Sequence, residues 1–187
     1  MGTSRTALIT GASSGIGRAT ALHLNDAGYR VIGTVRHQED GAALVAGAAQ
    51  PDMLIPVRCD VTNEHDVQAL AARVGEITGG VLDAMFSNAG IANMRGDVTA
   101  EGCPVATLDR MMQVDYLGAV RAIQAHLPML RAARGTLVMN SALMACAWCA
   151  SAPPPSERRW KPSRTPHPFP RTAPTPSSGP SCGEGLR

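Results

Sequence analysis

Short apolar runs alternate with stretches of helical spacing along most of the chain. The apolar runs predict buried strands over 5–10, 29–35, 53–58, 81–86 and 135–142. The stretches between them are alanine-rich or carry apolar side chains every three or four residues. They predict helices over 15–27, 40–49, a segment that begins at 62–63, and 105–133. Strands that alternate with helices form a parallel sheet through right-handed crossovers, so the pattern predicts an α/β fold with a doubly wound parallel sheet.

A glycine-rich turn joins the first strand to the first helix. Three glycines have separate uses there: Gly11 permits the tight turn, Gly15 lets the backbone approach a pyrophosphate, and Gly17 lets the helix pack closely on the strand. The free N–H groups and the positive dipole end of the helix then face the phosphates. The stretch predicts the phosphate loop of a dinucleotide site, and a plain structural turn is the alternative. The predicted contacts are Gly11, Ser13, Ser14, Gly15, Ile16 and Gly17.

The spacing of this turn, T-G-x-x-x-G-x-G, resembles the signature of the short-chain dehydrogenase/reductase family. Later motifs extend the resemblance from about residue 4 to about residue 142. It implies a Rossmann-like sheet, truncated here after the fifth strand, in a domain over 1–145. It also implies an oxidoreductase that transfers hydride between a nicotinamide cofactor and a small alcohol or carbonyl substrate.

The residues after the second strand bear on which cofactor fits. An acid at that point would bind the ribose 2′-hydroxyl and repel a 2′-phosphate. The chain has Arg36 there and no acid until Glu39. Because a guanidinium can pair with a phosphate through two hydrogen bonds, we expect NADP in preference to NAD. A solvated Arg36, with Glu39 or Asp40 turned toward the ribose, stays open as the alternative.

A D-V step follows the third strand. In the family, an acid in such a step accepts a hydrogen bond from the adenine amino group, and the next residue helps through its backbone. The resemblance therefore assigns Asp60 and Val61 to the adenine. An N-cap role for Asp60 on the following helix is the alternative, because aspartate caps helices well.

A run of small residues follows the fourth strand. Ser87-Asn88-Ala89-Gly90 resembles the family motif N-N-A-G, with Ser87 in place of the first asparagine. The resemblance implies that Ala89 and Gly90 let the backbone pass close to the adenosine ribose. It also implies that Asn88 braces neighbouring strands.

The helix predicted over 105–133 carries a wide apolar face. In the family this helix packs against its counterpart in a second subunit, so the resemblance implies a core face and a homo-oligomer interface. Asp115 stands where the family usually has an asparagine that helps to hold a water in a proton relay. An ionised aspartate accepts hydrogen bonds but cannot donate them. The apolar face comprises Leu108, Met111, Met112, Val114, Leu117, Val120, Ile123, Leu127 and Leu130.

The catalytic half of the family pattern is incomplete. The fifth strand resembles the family strand that ends in two serines, of which the second polarises the substrate carbonyl. Counted from the glycine, Ser141 matches the first serine and Ala142 the second, while a slip of one residue makes Ser141 the catalytic candidate. The family's Tyr-x-x-x-Lys is missing, because no tyrosine follows Tyr116 and Lys161 is the single lysine.

Without that proton donor, general acid–base assistance worth about 10²–10⁴-fold would be lost. The function implied is therefore that of an NAD(P)-dependent oxidoreductase whose activity is impaired. The alternative is a nucleotide-binding or interaction protein without catalysis.

The segment 146–187 differs sharply from 1–145. It holds ten of the 14 prolines and six basic residues against two acidic ones, without apolar periodicity. This composition predicts a disordered, proline-rich basic tail. A shift of reading frame is one hypothesis for the break, and reading the gene in all three frames tests it.

The remaining composition bears on metal, partners and location. Cys146 and Cys149 have the spacing of a metal or redox pair, but the intervals to His167 and Cys182 are long and proline-filled, so we expect no metal site. The basic residues of the tail are too few and scattered to predict nucleic-acid binding. Neither a signal pattern nor a membrane-length apolar run occurs, so we expect a cytoplasmic protein that does not bind membranes.

Overall fold

The computed structural model describes residues 4–91 and 103–140. In that part of the chain five strands alternate with helices. The strands are β1 Thr6–Ile9, β2 Arg30–Val35, β3 Leu54–Arg58, β4 Ala84–Ser87 and β5 Thr136–Met139. The helices are α1 Gly15–Asp26, α2 Gln38–Ala46, α3 Glu64–Thr78, α4 Val105–Met111 and α5 Ala119–Ala133, with a short 3₁₀ turn Pro51–Met53 and a π-helical turn Met112–Gly118.

The strands form one parallel sheet in the order β3-β2-β1-β4-β5. In register, Leu8 of β1 lies beside Ile32 of β2 and Met85 of β4. The chain runs outward from β1 to β3 and then crosses back to β4 on the other side of β1. The connections that leave the carboxyl ends of β1 and β4 therefore run to opposite sides of the sheet. Doubly wound sheets bind their ligands at such a point. The predicted α/β, Rossmann-like fold is confirmed.

Two apolar layers cover the sheet, one on each face. Leu8, Ile32 and Met85 point into the layer made with α3 and α5, while Ile9 and Val31 point into the layer made with α1 and α2. Successive side chains of a strand face opposite ways, so a strand buried on both faces must be apolar throughout. This explains why the strands appear in the sequence as continuous apolar runs.

The helix predicted over 105–133 is interrupted. The chain is helical throughout these residues, as predicted, but a π-helical turn separates α4 from α5, which the periodicity did not predict. Gly118 ends the turn against β3's connecting loop, where a Cβ would stand only 2.7 Å from Cγ2 of Val61. The extra backbone residue in a π turn changes which side chains face inward, and such turns are frequent at functional sites.

The apolar face of this segment is shared between the core and the surface. Ala119, Ala122 and Leu130 are buried, whereas Met112 and Tyr116 are exposed. At the sheet edge, β5 pairs with β4 alone among the described strands, and its four residues are exposed.

His126 is the one histidine buried within the described ranges. Its Nδ1 donates to the carbonyl oxygen of Ala122 at 2.7 Å, and its Nε2 has no hydrogen-bond partner among those residues. Burial lowers the pKa of this imidazole, with the Ala122 hydrogen bond opposing that change. The folded protein therefore holds His126 neutral.

Acid is expected to destabilise the protein through His126. The unfolded chain takes up a proton near pH 6.5, and the folded chain resists it, so stability is present above that pH and falls below it. The free energy of unfolding should drop by up to about 1.4 kcal/mol per pH unit between the two pKa values. Urea unfolding of the wild type and of His126→Leu at pH 8 and pH 5.5 measures this. An exposed-site control, His23→Gln, should keep the wild-type slope; equal slopes for all three proteins would contradict the prediction.

Candidate dinucleotide-binding site

A cavity of about 1010 Å³ opens at the carboxyl ends of the strands. This volume lies at the upper end of the range for ligand pockets. Segments that are far apart in sequence meet there because parallel strands end at one edge of the sheet. Among the residues predicted to bind cofactor, the lining includes Gly11, Ser13, Ser14, Gly15, Ile16, Arg36, Asp60, Val61, Asn88, Ala89 and Gly90. Asp115 lines it as well.

The glycine-rich turn has the backbone that its glycines were predicted to allow. Gly11 has φ +68°, and a Cβ there would stand 2.8 Å from the Cα of Ala89. Gly15 has φ +56°, and nothing lies within 4 Å of its missing Cβ. The first glycine is therefore required by packing and conformation, while the second presents bare backbone to open space.

Gly17 does not line the cavity. A Cβ at this residue would overlap the Gly11 carbonyl oxygen and Nδ2 of Asn88. Gly17 thus lets α1 pack directly against the turn and β4, which is the packing use predicted for it. Gly17 was also predicted to contact the cofactor, but the structure places it beneath the turn and outside the cavity lining.

The N-terminus of α1 is open to the cavity. Its N-cap residue Ser14 has extended backbone and makes no side-chain capping hydrogen bond, and the first turn holds no acidic residue. The first N–H groups of a helix have no partner inside it. Because no side chain caps these N–H groups and Gly15 has no side chain to cover them, they are available to an anion. A phosphate-binding turn requires such groups.

Two buried threonines, for which the sequence predicted no role, hold this turn. Thr10 Oγ1 accepts from the backbone N–H groups of Asn88 and Ala89 at 2.9 and 3.0 Å. Thr34 Oγ1 accepts from the N–H of Gly11 at 3.0 Å. Both threonines are about 1% exposed. A polar residue inside or at the end of an apolar run was the available signal.

Asn88 fastens β4 to β1 from the other side. Its Nδ2 donates to the carbonyl oxygens of Thr10 and Gly11 at 3.1 and 3.2 Å. These contacts agree with the bracing use implied by the family resemblance. They also consume the amide donors of Asn88, so its side chain supports the cavity wall.

Asp60 forms a local turn after β3. Its Oδ1 accepts from the N–H and the hydroxyl of Thr62 at 2.9 and 2.8 Å. The N-cap of α3 is Asn63, whose Oδ1 accepts from the N–H of His65 at 2.9 Å. The alternative that Asp60 caps this helix was therefore wrong, because the helix begins too late to be reached.

The surroundings of Asp60 stabilise its ionised form. Burial disfavours its ionised form, but the Thr62 hydrogen bonds and the guanidiniums of Arg36 and Arg58 outweigh burial and lower the pKa of the carboxyl. Arg36 thus lies near enough to act on Asp60 electrostatically. With Asp66, which pairs with Arg58 at 3.4 Å, two cations and two carboxylates gather where β2 and β3 end.

Asp115 is held at the opposite side of the cavity by the π-helical turn. Its Oδ1 accepts from the N–H of Ile91 at 2.7 Å. Burial raises the pKa of Asp115, and the Ile91 hydrogen bond opposes that rise. The structure therefore brings Asp115 against the backbone that follows Asn88-Ala89-Gly90.

Ser141, Cys146 and Cys149 lie outside the described residues, as do the rest of the tail and the end of the predicted fifth strand. Within 4–91 and 103–140, no cluster of three or more His, Cys, Asp or Glu is arranged to hold a metal ion. The helices in these ranges are also too short or too polar to cross a membrane.

Comparison with known proteins identifies the family that has this fold and site. The family model described as short chain dehydrogenase matches residues 5–149. The chain belongs to the short-chain dehydrogenase/reductase family. The match runs past residue 142, where the family-like motifs of the sequence end, and covers all five strands of the sheet.

Individual members of the short-chain dehydrogenase/reductase family resemble part of the chain. "Dehydrogenase/reductase SDR family member 11" of Bos taurus is 44% identical over 91 residues, which are 47% of this chain and 35% of that protein. "11-beta-hydroxysteroid dehydrogenase type 2" of Ovis aries is 36% identical over 141 residues, 73% of this chain and 32% of that protein. This chain thus spans about a third of the length of these relatives.

A solved short-chain dehydrogenase from Streptomyces avermitilis has the same fold. It superposes with a TM-score of 0.64 at 31% identity, and the match covers 79% of this chain and 56% of that one. The oxidoreductase fold of the family is therefore present over the described residues.

Proposed function

We propose that the cavity binds a nicotinamide dinucleotide, with NADP preferred to NAD. The observation that supports this most is the uncapped N-terminus of α1, which opens beside the bare backbone of Gly15 into the cavity. An anion there would meet unpartnered N–H groups and the positive end of the helix dipole. The volume and the polar groups at both ends of the cavity suit a ligand longer than a mononucleotide.

The strand order suggests how the ligand lies. Doubly wound sheets bind a dinucleotide across the point where the strand order reverses, here between β1 and β4. The adenosine half would then lie toward β2 and β3, near Asp60 and Val61. The nicotinamide half would lie past Asn88, Ala89 and Gly90, toward β4 and β5.

NADP is favoured by the charge at the adenosine end. Arg36 is exposed, lines the cavity and lowers the pKa of Asp60 together with Arg58. No acid follows β2 directly. A 2′-phosphate would therefore meet a guanidinium able to bind it through two hydrogen bonds.

Arg36→Ala is expected to weaken NADP binding about tenfold to a hundredfold and to leave NAD binding nearly unchanged, because a hydrogen bond to a charged group contributes about 1.5–3 kcal/mol. Fluorescence titration with NADPH and NADH measures both affinities. Arg73→Ala is the matched control, since Arg73 is exposed on α3 and pairs with Glu76 at 2.8 Å, away from the cavity. Equal loss for NADPH and NADH would contradict a 2′-phosphate contact.

We further propose that coenzyme binding survives in this chain while hydride transfer is impaired. When bound, the coenzyme would supply or accept the hydride exchanged with a small alcohol or carbonyl compound. Asp115 and Ser141 are the candidate groups that the chain contributes to such a step. No Tyr-x-x-x-Lys is encoded after Ser141 to supply the proton. The expected rate deficit is about 10²–10⁴-fold.

The same proposal includes a domain over 1–145, a proline-rich basic tail over 146–187, and a homo-oligomer formed through the 105–133 segment. On that segment Val105 is exposed and does not line the cavity, which favours a partner surface.

Binding and turnover must be measured on the same preparation of the full chain. NADPH and NADH fluorescence titration should show saturable binding, and an absorbance assay over a panel of alcohols and carbonyl compounds should show turnover far below that of a family member with the complete motif. Failure of a folded protein to bind either coenzyme overturns the first proposal. Turnover at the family's ordinary rate overturns the second.

A further inference from the structure

The two ends of the cavity differ in net charge. Arg36 and Asp60 line the β2–β3 end, one charge of each sign. At the β4–β5 end Asp115 lines the cavity, and the other charged side chains lining that end are Asp109 and Arg110 of α4, which are opposite in sign. The charges that line the β2–β3 end therefore balance, while Asp115 leaves the β4–β5 end with one excess negative charge.

The carboxylate of Asp115 is fixed in place. Its Oδ1 accepts from the Ile91 N–H at 2.7 Å and lies 3.3 Å from the point where a Cβ on Gly90 would stand. The ion pairs found in the described ranges join Arg58 to Asp66, Arg73 to Glu76 and Arg121 to Glu64, and none of them includes Asp115. Its charge is thus not cancelled by a cation within those ranges.

Desolvation makes this charge effective. Asp115 is partly buried, so water screens its carboxylate less than it would a fully exposed one, and the same burial raises its pKa. A charge screened less by water interacts more strongly with any charge brought into the cavity.

We propose that Asp115 makes this site prefer the oxidised coenzyme over the reduced one. The inference rests on the proposed function, which puts the nicotinamide half at the β4–β5 end. The nicotinamide ring is cationic when oxidised and neutral when reduced, so an anion nearby stabilises the oxidised form selectively. The site then favours the form that alcohol oxidation consumes.

The preference is measured as the ratio of two dissociation constants, that of NADPH divided by that of NADP⁺. Phosphate and adenosine contacts are common to both forms and cancel in this ratio. Asp115→Asn keeps an oxygen to accept from Ile91 and removes only the charge. The ratio is expected to fall at least about fivefold in this variant, which is the factor for two unit charges about 4 Å apart in bulk water.

Calorimetric titration of the full chain gives both constants without any need for turnover. Asp115→Glu should keep the ratio of the wild type, and so should Asp52→Asn, an exposed aspartate outside the cavity lining. If Asp115→Asn does not fold, as judged by circular dichroism, Asp115→Ser makes the same charge change with a smaller side chain.

The outcomes distinguish failure of this inference from failure of the proposed function. A fall in the ratio for the neutral variants alone supports the inference. An unchanged ratio in a variant that still binds both forms overturns it and leaves the proposed function standing. Binding of neither form by the folded wild type overturns the proposed function and this inference with it.

Discussion

Replacing Gly15 with aspartate is expected to weaken NADP binding about a hundredfold or more while leaving the protein folded. Nothing lies within 4 Å of the Cβ that the substitution adds, so the side chain has room. It would stand at the open N-terminus of α1, where the coenzyme's pyrophosphate is proposed to bind. A carboxylate there repels the phosphates and competes for the free N–H groups of the helix.

Gly15→Asn is the matched control. Gly15 has φ +56°, a left-handed conformation that costs most L residues energy and that asparagine and aspartate tolerate best. The two variants therefore share the backbone cost and the side-chain volume, and they differ in charge. Both should unfold in urea within about 1 kcal/mol of each other. Calorimetric titration should show that Gly15→Asn binds NADP far more tightly than Gly15→Asp; equal affinities would mean that no phosphate binds at this turn.

Thr10→Val is expected to lower the free energy of unfolding by about 1–3 kcal/mol, because it removes the acceptor of two partly buried N–H groups and each such hydrogen bond contributes about 0.5–1.5 kcal/mol. Thr10 is 1% exposed, and its hydroxyl accepts from Asn88 and Ala89. Valine has nearly the same shape, so packing is preserved and only the acceptor is lost. Urea unfolding of the full chain measures the change.

Thr10→Ser separates the hydroxyl from the methyl group. Serine keeps the acceptor and loses one buried methyl, so its cost should stay near 1 kcal/mol. A serine variant as unstable as the valine variant would show that packing, and not the pair of hydrogen bonds, holds the end of β4 against β1.

The fold was predictable from the sequence because the sheet is buried on both faces. Residues such as Leu8 and Ile9 point into opposite apolar layers, so each central strand appears as an unbroken apolar run. The glycine-rich turn was equally legible, since only glycine fits the conformation of Gly11 against Ala89. Constraints of this kind are local, so they determine the residue type at the position itself and can be recognised in the sequence.

Other features depend on contacts between segments that are distant in sequence, so they could not be predicted from the sequence pattern. The π-helical turn arises where Gly118 meets Val61 and Asp115 reaches Ile91, and helical periodicity carries no sign of either contact. The Thr10 hydroxyl gains its partners from β4, 78 residues along the chain. The helix cap fell to Asn63 in place of Asp60 because the helix begins later than the polar run suggested.

Hydrogen exchange of the full chain with and without NADP⁺ tests the central claim most directly, because it locates binding on the backbone without requiring turnover. Bound coenzyme is predicted to slow exchange at 13–18, where α1 begins, and at 88–91, where the chain leaves β4. Exchange along α3 should be unchanged, since that helix lies on the sheet face away from the turn. Unaltered exchange at 13–18 in the presence of saturating coenzyme would contradict a phosphate site at the opening of α1.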